Sequence, residues 1–214
     1  MKHIDAQRNW PLHPAQTAVL VVDVQGSEVQ PELQAREPYY ARSVKEEMLP
    51  ALTRLVDGAR AAGCEIVYTV MEALTRDGRD RSLDYKLSGM LIPKGSPLAE
   101  ILPEARCQDD DIVLPKTSSG VFNSTTLAYV LRNMGITNVV VAGLMTDQCI
   151  DMAVRDGADL GFYMVCAGDA CTTRSRERHD QALKAFGGYC RVQTVSEVLD
   201  DITQAGAEGR KRAG

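Results

Sequence analysis

Two hydrophobic periods alternate along the chain. Thr17–Asp23, Glu65–Val70, Ile112–Leu114, Asn138–Ala142, Phe162–Cys166 and Arg191–Thr194 are short, mostly aliphatic or β-branched runs. Most lack polar alternation, the mark of strands covered on both faces. Between the first two runs, Val44, Met48, Leu52, Leu55, Val56, Ala59 and Ala62 recur at helical spacing and stop at Gly63. A second helix carries Leu127, Val130, Leu131 and Met134, with Asn123 or Ser124 as its expected cap and Gly135 as its stop. Further helices are predicted over 146–160, 176–186 and 195–204, the last followed by a frayed tail over 206–214. Residues 1–14 read as an N-terminal arm.

Strand–helix alternation with doubly buried strands predicts an α/β fold: one doubly wound, Rossmann-like parallel sheet of six strands with helices on both faces. Such open sheets bind ligands beyond the carboxyl ends of their strands, so chemistry is sought there. The first strand exit carries neither G-x-G-x-x-G nor G-x-x-x-x-G-K-[ST], and phosphate binding there is unsupported.

Composition narrows the classes further. With 214 residues, 44% hydrophobic and 25% charged, the chain suits one soluble domain with a sizeable core. A net charge of −5 argues against a nucleic-acid partner. No apolar run approaches the ~20 residues of a membrane span, and MKHIDAQRNW has no apolar leader core, so the expectation is a cytoplasmic protein without membrane association. The six cysteines (64, 107, 149, 166, 171, 190) contain no C-x-x-C pair and read as free thiols. His3, His13 and His179 match no zinc spacing. All three are expected at the surface, and neither metal nor cofactor is expected.

Three strand ends carry reactive groups: Asp23, Lys116 and Cys149. Gly143-Leu-Met-Thr-Asp-Gln-Cys149 is a strand-to-helix junction that places the thiol in a first helical turn. The helix dipole and a nearby ammonium there favour a thiolate. A carboxylate, Asp23, is positioned to take the thiol proton. The other five cysteines read as small buried hydrophobes.

The segments Val-Val-Asp23-Val-Gln25, Leu-Pro-Lys116 with Ser119 to Phe122, and Gly143-Leu-Met-Thr146-Asp-Gln-Cys149 resemble the isochorismatase-like cysteine hydrolases over residues 15–200. That resemblance implies strand order 3-2-1-4-5-6, an Asp23–Lys116–Cys149 triad, a cis peptide at Leu144–Met145, and a dimer or tetramer. With the cis bond it implies an oxyanion hole built from the backbone N–H groups of Met145 and Cys149. Nicotinamidases within the family carry an Asp-x-His…His metal site after the second strand. Here that stretch, Thr69 to Asp80, has no histidine. Members that cleave a vinyl ether need no thiol nucleophile, so Cys149 favours a C–N bond in a small amide, ureide or N-carbamoyl compound, as in the amidohydrolase branch. The competing readings are vinyl ether hydrolysis, or a thiol redox sensor or binding protein on the same fold.

The long polar stretch from Met71 to Ser96 reads as a functional lid or a solvated connection. Within it, Arg76 or Arg81 is a candidate for a substrate carboxylate, Glu72 for substrate N–H groups, and Tyr85 for contact. Gln25 and Leu144 beside the triad and Phe122 beyond Lys116 complete the substrate-binding expectation. Many family members have an aromatic residue shortly after the strand-1 Gln; here Gln25-Gly-Ser-Glu28 stands instead. Tyr39, Tyr40, Trp10 or Phe122 is then expected to supply that pocket wall.

Overall fold

The structure, a computed structural model, describes residues 9–213, with side chains through residue 209. Six strands form one sheet: β1 Thr17–Val22, β2 Glu65–Met71, β3 Ile112–Lys116, β4 Asn138–Leu144, β5 Tyr163–Thr172 and β6 Arg191–Gln193. Their order is 3-2-1-4-5-6, and every pair is parallel. β1 lies in the middle, flanked by β2 and β4, so the chain winds outward from it in both directions.

Alternate residues of β1 feed two separate cores, as the two-residue period of a strand requires. Val19 and Val21 join Leu52, Leu55, Val56, Val198 and Ile202 on one face. Ala18, Leu20 and Val22 join Leu131, Val154, Ala182 and Phe186 on the other. The first face is covered by α3 (Leu49–Ala62) and α9 (Val195–Ala213). Before α3 come the short α1 (Pro31–Arg36) and α2 (Pro38–Ser43), joined to it by a π-helical turn over Val44–Met48. The one-turn α4 (Leu83–Leu87) sits between β2 and β3, and α5 (Val121–Ser124), α6 (Leu127–Asn133), α7 (Asp151–Asp159) and α8 (Arg176–Phe186) belong to the second half.

Several boundaries differ from the sequence reading. Asn123 and Ser124 lie inside α5 and do not cap α6; the Thr125 hydroxyl accepts from the Leu127 N–H instead. β5 runs six residues past Cys166, through a bulge that pairs Val141 with Cys166 but Gly143 with Cys171. The polar Gly168 and Asp169 hide this extension from a hydrophobic count. α9 continues to Ala213, where a frayed tail was expected from 206. Of the expected N-terminal arm, residues 1–8 lie outside the described residues. Among the described residues, no helix is long and apolar enough to cross a membrane.

Candidate active site

Three strands deliver Asp23, Lys116 and Cys149 to one point at the carboxyl edge of the sheet. Asp23 is the first residue past β1, in the left-handed region at φ 56°. Its N–H donates to the Thr69 carbonyl of β2 at 3.1 Å, and its Oδ1 accepts from the Thr69 hydroxyl at 2.9 Å. Lys116 ends β3, opposite Met71 of β2. Cys149 lies in the π-helical turn Thr146–Ile150 that links β4 to α7. The peptide bond before this turn, Leu144–Met145, is cis. At the end of β4, Gly143 has φ 119°, and a Cβ there would run into the backbone of Val22.

Lys116 Nζ stands between the other two groups. It lies 2.8 Å from Asp23 Oδ2 and 3.3 Å from Cys149 Sγ, and it also donates to the Ser118 carbonyl at 3.0 Å and the Tyr85 hydroxyl at 3.2 Å. All three members are buried: Lys116 is fully enclosed, Asp23 is 1% exposed and Cys149 is 5% exposed. An unpaired ammonium at such depth would be costly; here it is compensated on every side.

Burial decides the protonation state of the sulfur. Desolvation and the neighbouring Asp23 carboxylate outweigh Lys116 and push the Cys149 thiol up to about 12. Burial therefore works against the thiolate expected from the sequence, and the sulfur lies close enough to Asp23 for a hydrogen bond. Burial also works against the Lys116 ammonium, but the adjacent Asp23 carboxylate leads the effects that overcome it and hold the lysine above its ordinary range. Burial likewise pushes the Tyr85 phenol up to about 12, so it meets Lys116 as a neutral hydroxyl.

The triad opens into a cavity of about 450 Å³. Leu144, Met145 and Cys149 form part of its wall, and Tyr85, Met71 and Met90 close another side. Of the substrate-binding candidates, Tyr85 and Leu144 therefore line it. The others do not. Gln25 is fully buried and bonds the Met71 N–H and carbonyl and the Leu98 carbonyl, tying the β1 exit to the 71–98 segment. Glu72 accepts from the Gly95 N–H at 2.7 Å. Arg81 donates to the Gly78 and Met90 carbonyls, and Arg76 is exposed away from the cavity. Phe122 stacks on Phe162 in the second core. The Met71–Ser96 segment packs around its own small cluster of Met71, Tyr85 and Ile92.

Several cavity residues escaped the sequence reading, among them Arg174 and Glu28. Arg174 sits two residues beyond the extended β5, paired with Glu37 at 3.4 Å and stacked over Tyr40. Glu28, five residues past Asp23, is a buried carboxylate on the wall. The Gln25-Gly-Ser-Glu28 departure was its available signal. Of the aromatics expected to replace the missing wall residue, Tyr40 is buried behind Glu28, Tyr39 faces a different cavity and Trp10 packs near Tyr163. Tyr85 is an aromatic side chain that does line the cavity.

The remaining side chains are quickly placed. Cys64, Cys166, Cys171 and Cys190 are buried as expected, whereas Cys107 is half-buried. His13 is half-buried and His3 lies outside the described residues. His179 is buried, against the expectation of a surface position. Among the described residues, no group of three or more His, Cys, Asp or Glu stands together to hold a metal ion.

Known proteins share this arrangement of strands and loops. Two relatives, the ureidoacrylate amidohydrolases RutB of Rhizobium rhizogenes and Agrobacterium fabrum, are each 28% identical over 91% of this chain, covering 86% and 93% of their own lengths. A cysteine hydrolase structure from Pseudomonas syringae pv. phaseolicola superposes with a TM-score of 0.82 at 24% identity, over 92% of this chain and 97% of that one. An N-carbamoylsarcosine amidase from Thermoplasma acidophilum superposes with a TM-score of 0.68 at 23% identity, over 84% and 96%. The isochorismatase domain model matches residues 17–198. That span holds Asp23, Lys116, Cys149 and the cavity around them, and the chain belongs to the isochorismatase family.

Proposed function

We infer that the protein is a cysteine-dependent hydrolase that cleaves a C–N bond in a small amide, ureide or N-carbamoyl compound through a thioester. The observation that carries this is the placement of Lys116 Nζ, 2.8 Å from the Asp23 carboxylate and 3.3 Å from the Cys149 sulfur, behind two groups that line an open cavity. A nucleophile, a base beside it and a cation that orders both are the parts nucleophilic acyl transfer needs. The amidohydrolase names of the 28%-identical relatives support the choice of bond.

Cys149 Sγ bonds to the substrate carbonyl carbon as its proton passes to Asp23. The carbonyl oxygen becomes an oxyanion against the backbone N–H groups of Met145 and Cys149. Collapse breaks the C–N bond, and Asp23 returns the proton to the departing nitrogen. Water then adds to the thioester and gives a proton to Asp23. The C–S bond breaks, and that proton goes back to sulfur. Lys116 stays protonated throughout and holds Asp23 and Cys149 in register.

Arg174 takes the role first sought among Arg76 and Arg81: it is the cavity guanidinium placed to meet a substrate carboxylate. The deciding experiment is a screen for ammonia or amine release over small amides, ureides and N-carbamoyl acids, run with the wild type and Cys149→Ala. Turnover that vanishes in the variant supports the reading; turnover that persists rejects it.

A further inference from the structure

Glu28 is a buried carboxylate that the acyl-transfer steps do not use. It lines the catalytic cavity and is 8% exposed. Its Oε2 accepts from the fully buried Tyr40 hydroxyl at 2.8 Å, whereas among the described residues its Oε1 has only the Ser27 hydroxyl at 3.4 Å. A carboxylate has about four acceptor positions, so one oxygen is under-occupied at the cavity wall. The other buried or half-buried carboxylates of the cavity are accounted for. Asp23 takes Thr69 and Lys116; Asp147 takes Thr173 and Arg178; Asp151 takes Arg155. Burial and the nearby Asp23 carboxylate hold the Glu28 carboxyl above its ordinary range, although Tyr40 and Arg174 pull it back. Arg174 belongs to the same corner, stacked over the Tyr40 ring at 5.3 Å.

We propose that Glu28 is a specificity-determining residue that accepts a hydrogen bond from a substrate N–H on the far side of the scissile carbonyl, so that the site selects ureido compounds over carboxamides joined through carbon. This rests on the hydrolase reading above and narrows it. A guanidinium and a carboxylate that line one cavity and both touch Tyr40 match a unit in which a carboxylate and an N–H are neighbours, as in an N-carbamoyl amino acid. A site built to receive a substrate N–H discriminates strongly against an analogue that lacks it, because its own polar group is then left unpaired.

The test uses N-carbamoylglycine and succinamate, which differ only by NH in place of CH₂ between the carbamoyl carbon and the rest of the molecule. Ammonia release gives kcat/KM for each. Glu28→Gln is expected to lower the ratio of N-carbamoylglycine to succinamate by about 10- to 100-fold, the worth of a hydrogen bond to a charged group. A purely structural role would depress both substrates alike, and an unchanged ratio overturns the proposal. The double variant Glu28→Met with Tyr40→Phe removes both members of the buried pair and serves if Glu28→Gln does not fold. If neither compound is turned over, calorimetric binding of the two to Cys149→Ala protein replaces kinetics. Preferential binding of N-carbamoylglycine that disappears with Glu28→Gln supports the assignment even if hydrolysis fails. Equal binding, or none, defeats it.

Discussion

His179 Nδ1 and the Thr146 hydroxyl meet at 2.8 Å, both buried, directly behind the turn that carries Cys149. α8 thereby props the β4–α7 junction. Burial and nearby Arg176 hold His179 below its ordinary 6.5. The unfolded chain then binds a proton that the folded chain resists, so this group makes stability fall as pH drops below about 6.5 and leaves it intact above. His179→Phe, which orphans the Thr146 hydroxyl, is expected to cost about 1–3 kcal/mol in urea unfolding at pH 8. It should also flatten the pH 5–7 limb of the stability curve. A variant with an unchanged limb would show that another group sets it.

Asp23 and Lys116 act on the sulfur in opposite directions. Asp23 raises the Cys149 thiol and Lys116 lowers it. Asp23→Asn should therefore make alkylation by iodoacetamide faster at pH 8 while amide turnover falls by at least about 10⁴-fold. Lys116→Met should slow alkylation. If Asp23→Asn slows labelling, the carboxylate is not what keeps the proton on sulfur.

Arg174 predicts a split in kinetics by substrate charge. Arg174→Met is expected to raise KM about tenfold or more for succinamate and to leave butyramide within about twofold. Equal rises for both would mean that the guanidinium supports the wall through Glu37 and Tyr40 without meeting a substrate carboxylate.

Gly143 is fixed by backbone crowding. At φ 119° a side chain is already disfavoured, and the Val22 backbone occupies the space a Cβ would need. Gly143→Ala should lower stability by about 3 kcal/mol or more, read from chemical denaturation. Gly161→Ala, at φ 90° with open space around it, should cost about 1 kcal/mol, strain alone.

The sheet and its reactive edge could be read in the chain because apolar runs mark parallel strands, and Asp23, Lys116 and Cys149 each follow one. Residues held by backbone groups could not. Arg81 looked like a ligand-binding cation until its guanidinium was seen capping two carbonyls. Arg174 was concealed by a bulge that carries β5 past its apolar run. His179 stands at i, i+3 and i+7 spacing with the buried Ala182 and Phe186, a signal obscured by flanking Arg176 and Arg178. The thiolate expectation weighed dipole and lysine and left out burial, which is the larger effect.

The central place of β1 has a further consequence. The carboxylate, ammonium and sulfur lie some 90 and 30 residues apart in the chain, and each reaches the edge only if its own crossover has closed. No contiguous fragment shorter than about 130 residues holds all three. Hydrolytic turnover, recovered after dilution from denaturant, would accordingly time the docking of the third and fourth strands beside the first two, giving an assay of assembly that spectroscopic helix content does not offer.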